Sequence, residues 1–168
     1  MIISQEQSML RDSLREFCRE RIAPFSADWD RRHAFPAGVL KELAAPGVMG
    51  MTVPEKWRGA DMDYLSLALA IEEIAAADAS TSTIVSVQNS LACGILMNYG
   101  NDAQKDRYLS RLASGEWPGC FCLTEPHAGS DVTQIYEGAS DIQRMVISKA
   151  LAAGQMQSKL CTQDRFML

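Results

Sequence analysis

Residues 63–100 read DYLSLALAIEEIAAADASTSTIVSVQNSLACGILMNYG, and no proline interrupts the chain from 55 to 117. Asp63 is placed to cap a helix carrying Leu65, Ala68, Leu69, Ile71, Ile74 and Ala75. That helix is apolar almost all round, which predicts burial. A second buried helix is predicted from about Ser80 to Tyr99, ending at Gly100 as its C′ residue. Its apolar positions are Ile84, Val87, Leu91, Ile95 and Leu96. Together with Leu65, Leu69 and Ile71 they are expected to form a core between the two long helices.

Helical signals extend in both directions. Upstream, Ser4 and Gln7 have capping-box spacing, and Leu10, Leu14, Phe17, Cys18 and Ile22 share one helical face up to Pro24. A short helix is expected over Ser26–Arg32, and Pro36 opens another with Val39, Leu40 and Leu43 inward. Residues 46–62 hold Pro46, Gly47, Gly50, Pro54 and Gly59, which predicts a loop, with Met49, Met51 and Trp57 as core plugs. Downstream, Asn101 and Gln104 cap a helix with Tyr108, Leu109 and Leu112 inward. Trp117–Thr124 is too short for a helix and reads as a single strand, which would need partners from elsewhere. Ser140 and Gln143 open a last helix carrying Ile142, Met145, Val146, Ala150 and Leu151. Residues 155–168 lack a clear period and read as a frayed tail.

The composition is that of a globular chain: 168 residues, 47% apolar and 22% charged. It excludes disordered and disulfide-dense classes. Sixteen basic against 21 acidic residues give a net charge of −5, so no broad basic field for nucleic acid is expected. The deficit sits in residues 61–130, with 3 basic and 9 acidic groups. Cysteines at 18, 93, 120, 122 and 161 lack paired metal spacing, and only His33 and His127 are available to complete a site. They read as reduced thiols, mostly small core residues, and no metal is expected. No apolar run is long enough to span a membrane. The opening MIISQEQSML has no basic start, apolar run or cleavage site, so a cytoplasmic chain is expected.

Two segments combine groups suited to chemistry. LTEPHAGSD (123–131) places hydroxyls, carboxylates and a glycine turn together, which suits a polar cofactor edge or phosphate oxygens. A Pro/Gly turn held by local hydrogen bonds accounts for the same residues. YEGAS (136–140) puts Glu137 beside an aromatic ring just before a helix start, where apolar surroundings raise a carboxylate toward general-base range. A first-turn acid favoured by the helix dipole is the plainer account. Gly138, Ala139 and Ser140 present N–H groups that an anion can bind, or that Ser140 simply caps. His127 is read as solvent-facing.

These segments resemble the acyl-CoA dehydrogenase family. CFCLTEPHAGSDV (120–132) is similar to its flavin-contact signature, and QIYEGASDIQR (134–144) to its C-terminal catalytic motif. The stretches at 57–75, 89–94 and 108–116 are similar to it as well, and the resemblance extends over about residues 2–153. It implies an FAD-dependent oxidation of acyl-CoA to trans-2-enoyl-CoA. Glu137 matches the base that takes the α-proton, and the β-hydrogen leaves as hydride to flavin N5. Phe121, Cys122, Leu123, Thr124 and Ser130 match positions along the flavin, with Thr124 on the ring. Ala139, Ser140 and Asp141 match its contacts at the last helix. Ser130 and Gly138 match substrate positions. An acyl-CoA thioester, electron-transfer flavoprotein as acceptor and a homo-oligomer are the partners implied.

In the family a β-domain and several long helices separate the two motifs, whereas here Thr133 is followed directly by Gln134. Ala139 stands where the family commonly has a hydroxyl residue. The expected fold is therefore mainly α: an acyl-CoA dehydrogenase-like N-terminal helical domain (1–133) with a short strand or loop at the flavin-contact motif. A grafted catalytic motif and helix (134–154) and a non-family tail (155–168) follow, with the β-domain absent. A non-catalytic helical module that pairs with intact family subunits is the alternative function.

Overall fold

The first helix is fixed by both reciprocal hydrogen bonds of its predicted cap. Ser4 Oγ accepts from the Gln7 N–H at 3.1 Å, and Gln7 Oε1 accepts from the Ser4 N–H at 2.9 Å. This computed structural model describes residues 3–120. The chain divides into two units, Met1–Phe121 and Cys122–Leu168, and the described residues belong to the first. From its cap, α1 runs over Gln5–Arg21 and buries Leu14 and Cys18, with Ile22 at its C-cap; Leu10 and Phe17 pack against the same core. Each of the larger apolar side chains contributes roughly 1.5–3 kcal/mol by leaving water.

Pro24 stands in the first turn of α2 (Ala23–Arg32), where its missing N–H costs nothing, so this helix begins earlier than the Ser26 start read from sequence. Helix α3 (Ala37–Ala44) follows Pro36 and buries Val39, Leu40 and Leu43 as expected. The loop after it holds two short 3₁₀ turns, Val48–Gly50 and Glu55–Trp57. It drives Val48, Met49, Met51, Val53 and Trp57 into the interior.

Helix α4 (Tyr64–Ala77) is capped by Asp63, whose carboxylate accepts from the Ser66 N–H at 2.7 Å. It packs along α1. Its burial is not uniform, contrary to the expectation from its composition. Ala68 and Ala75 are exposed, while Ser66 and Glu73 are buried with Leu67, Leu69, Ala70 and Ile74. Glu73 can turn inward because Arg15 forks onto it, Nε to Oε2 at 2.9 Å and Nη2 to Oε1 at 2.6 Å.

The next helix is built in three parts: α5 (Ala79–Val87), a π-helical turn over Gln88–Cys93, and α6 (Gly94–Tyr99). Asp78 caps it through the Thr81 N–H and binds the Ser26 hydroxyl of α2 at 2.5 Å. The face that enters the core is not the apolar one chosen from sequence. Thr81, Ser82, Val85, Gln88, Asn89 and Cys93 are buried. Ile84, Val87, Leu91 and Leu96 are half-buried, and Ile95 is 46% exposed. Gly100 ends the helix with an extended backbone (φ −74°, ψ 142°), not in the left-handed form of a C′ glycine. Glycine is required there by proximity, since a Cβ would lie 2.6 Å from the Leu96 carbonyl oxygen.

Helix α7 (Asp102–Gln104) carries the predicted Asn101–Gln104 capping box and passes through a π turn, Lys105–Leu109, into α8 (Ser110–Ala113). Leu109 and Ala113 join Val53, Trp57 and Cys93 in a second apolar cluster, with Leu112 against it. Tyr108, expected inward, is exposed and lies in tilted contact with Trp117. Trp117–Cys120 is not a strand, and residues 121–124 of that expectation lie outside the described residues. No helix among the described residues is long and apolar enough to cross a membrane.

Candidate functional site

The predicted flavin and substrate positions Phe121, Cys122, Leu123, Thr124 and Ser130, and the segment of Glu137, Gly138, Ala139, Ser140 and Asp141, lie outside the described residues. So does the proposed division at residues 133 and 134. What the structure does describe is the approach to the first motif, and how the helical body holds it.

After α8 the chain turns at Ser114 and Gly115, and the Trp117 N–H donates to the Arg111 carbonyl at 3.1 Å. Gln88 then grips the backbone on both sides of Pro118. Its Nε2 donates to the Leu112 carbonyl at 2.7 Å and the Trp117 carbonyl at 3.2 Å, and its Oε1 accepts the Gly119 N–H at 2.6 Å. All three bonds form with a side chain that is fully buried. Leaving such groups unpaired costs about 1–3 kcal/mol each, so the arrangement is specific. Gly119 also approaches the helix too closely for a side chain: an added Cβ would run into Ala92.

Asn89, the next residue, performs the matching task for the loop after α3. Its Oδ1 accepts the Met51 N–H at 2.8 Å, and its Nδ2 donates to the carbonyls of Val48 at 2.9 Å and Val85 at 3.0 Å. Both amides sit in the π turn, a distortion found disproportionately beside functional sites. Sequence reasoning passed over them because it ranked that helix by apolarity. The available signal was two adjacent amides, Gln88 and Asn89, inside a helix that must be half-buried.

On the solvent side of the approach, the Arg111 guanidinium lies 4.5 Å from the Trp117 ring centre, and Glu116 pairs at long range with Arg58 (3.8 Å) and Arg111 (3.9 Å). Cys120 is exposed, while Cys18 and Cys93 are buried as expected of core thiols. Burial, with Glu73 nearby, pushes the Cys18 thiol up to about 11, and burial alone pushes Cys93 to about 12, so neither supplies a thiolate near neutral pH. Among the described residues, no group of three His, Cys, Asp or Glu side chains is placed to hold a metal ion.

This helical body has known counterparts. Residues 4–116 match the family described as acyl-CoA dehydrogenase, N-terminal domain. The chain belongs to the acyl-CoA dehydrogenase family. It is 41% identical over 131 residues to an acyl-CoA dehydrogenase of Bacillus subtilis, covering 78% of this chain and 35% of that one. It is 40% identical over 129 residues to the mitochondrial short-chain specific acyl-CoA dehydrogenase of Mus musculus, covering 77% and 31%. Among solved structures it resembles a glutaryl-CoA dehydrogenase from Mycobacterium smegmatis in complex with FADH2. There the TM-score is 0.70 at 34% identity, over 76% of this chain and 33% of that one. This acyl-CoA dehydrogenase-family chain thus spans about a third of the length of the relatives it matches. Its mainly helical body is the family's N-terminal helical domain.

Proposed function

We propose that the chain carries the chemistry of FAD-dependent oxidation of an acyl-CoA thioester to trans-2-enoyl-CoA, and that alone it performs this poorly. One observation carries the reading: a family N-terminal domain over residues 4–116 runs, through a backbone gripped by Gln88, directly into CFCLTEPHAGSD. The donor set fits a flavin dinucleotide in kind. Thr124 and Ser130 offer hydroxyls, and the Gly138–Ser140 N–H groups at a predicted helix start suit a pyrophosphate. When bound, the flavin would accept the β-hydrogen of the substrate as hydride at N5. Glu137 is assigned the α-proton, with Gly138 and Ser130 against the thioester.

Poor performance is expected where the motif loop and one helix start act on their own. A dipole contribution of roughly 1 kcal/mol at one helix start is small against the roughly 4–15 kcal/mol of rigid-body freedom lost on binding. A general base for an α-proton also needs the substrate carbon held within reach and water kept out. The family match falls on the N-terminal helical domain, residues 4–116, which also suits a second reading, a non-catalytic helical module that pairs with intact family subunits. Electron-transfer flavoprotein as acceptor, assembly into a homo-oligomer and a cytoplasmic location belong to the same proposal.

The test supplies FAD, a mid-chain acyl-CoA and an artificial electron acceptor to the wild type and to Glu137→Gln. Slow turnover that disappears in the Gln variant supports Glu137 as base. Equal background rates in both leave the helical-module reading, and co-purification with an intact family subunit is its direct check.

A further inference from the structure

We infer that Gln88 is a positioning residue: through the Gly119 N–H and the Trp117 carbonyl it sets where the chain enters the segment assigned to the flavin. The inference rests on the flavin reading for its purpose and on the geometry for its mechanism. Three hydrogen bonds of 2.6–3.2 Å converge on one buried side-chain amide from Leu112, Trp117 and Gly119. They use both oxygen and nitrogen ends, so the amide cannot be replaced by a hydroxyl or a carboxylate without losing at least one. Independently, Gly119 lies so near the helix that a Cβ would meet Ala92, with Gln88 Oε1 at 3.1 Å. The backbone is therefore pinned from two directions, two residues before Phe121. A shift of the entering backbone along its axis would break the Gly119 bond and bring Gly119 against the helix.

The task depends on the length of the side chain as well as on its two polar ends. Asparagine is one methylene shorter, methionine fills the volume without polar ends, and alanine leaves a cavity. The neighbouring Asn89 is committed to Met51, Val48 and Val85 and cannot substitute.

The experiment compares the full-length wild type with Gln88→Met, which keeps the volume, and Gln88→Ala. Amide exchange at Gly119 is read beside that of Leu67–Ile74 in α4 as the folding control. The change in FAD absorbance and fluorescence on titration is read in parallel. The expected result is Gly119 exchange faster by at least about 10-fold in Gln88→Met with α4 unchanged, because the acceptor of the Gly119 N–H is lost together with the two bonds to the Leu112 and Trp117 carbonyls. FAD binding, however weak in the wild type, should fall by a similar factor. Unchanged Gly119 exchange, or unchanged FAD titration with Gly119 deprotected, overturns the positioning role. No FAD response in any of the three chains, up to the highest FAD concentration at which the optical signal is still linear, sinks the flavin reading and with it the purpose assigned to Gln88. Loss of α4 protection in Gln88→Met shows a general core role and also overturns the inference.

Discussion

Asn89 and Met51, 38 residues apart, are joined by a buried hydrogen bond of 2.8 Å from the Met51 N–H to Asn89 Oδ1. The bond fixes the loop after α3 against the π turn, and makes a polar side chain a keystone of an otherwise apolar interior. Asn89→Ala would leave the Met51 N–H and the Val48 carbonyl without partners, at about 1–3 kcal/mol for each buried group. Leu91→Ala, at a half-buried position, should cost less than about 2 kcal/mol, below the range for fully buried leucines. Urea titration of both variants checks the order. A larger loss at Leu91 would restore the face read from sequence.

Asp78 supplies an acid-sensitive joint between α2, α4 and α5. Burial opposes its ionisation, but hydrogen bonds from the Ser26 hydroxyl and the Thr81 N–H outweigh this and hold its pKa below the ordinary carboxylate value. A depressed folded-state pKa gives stability that is present above the unfolded value, near about 3.9, and is lost as pH falls through the folded value. Stability should therefore drop below about pH 4. Asp78→Asn, which keeps a capping oxygen, should flatten that drop. Denaturation midpoints between pH 7 and pH 3 measure it, and an identical acid slope in the variant would count against this account.

Thiol accessibility separates the cysteines among the described residues. Cys18 and Cys93 are buried with raised pKa values of about 11 and about 12, whereas Cys120 is exposed. An alkylating reagent near neutral pH should modify Cys120 at least about 100-fold faster than either buried thiol, whose thiolate fraction and access are both low. Peptide mapping after timed quenching reads the rates. Comparable labelling of Cys93 in the native chain would mean that the second apolar cluster is open.

Much of the fold was legible in the sequence, and the exceptions share a cause. The Ser4–Gln7 and Asn101–Gln104 boxes, the Asp63 cap and Pro36 announced their helices because the signals lie within a few residues, whereas Pro24 was read as a stop and instead stands in the first turn of α2. Val39, Leu40, Leu43, Met49, Met51 and Trp57 were read correctly as interior. The inner face of α5–α6 was not, because Gln88 and Asn89 earn burial from backbone groups 24 to 41 residues away. Glu73 depends in the same way on Arg15, 58 residues away. The roles given to Thr124 and Glu137 rest on family likeness alone, and both residues lie outside the described residues.

The outward face of α5–α6 carries a further consequence. Ile95 and Tyr99, four residues apart on α6, are 46% and 84% exposed and continue the row of half-buried Leu91. Neighbouring exposed apolar side chains can form an interface, and self-association at high concentration is expected. Ile95→Glu should shift the sedimentation distribution toward monomer. A wild type that stays monomeric at high concentration, with no binding of an apolar-surface dye, would contradict this.

Flavin retention tests the central claim most directly: a family helical domain that leads into a proposed flavin-contact motif and on its own holds FAD weakly. The visible absorption of the purified chain is to be read before and after addition of FAD and removal of the excess by gel filtration. The account predicts a nearly colourless protein as purified, and little flavin carried through the column, because one short loop and one helix start hold a dinucleotide weakly. A yellow protein that keeps close to one FAD per chain through the column would contradict it, and would show that 168 residues suffice for a complete flavin site.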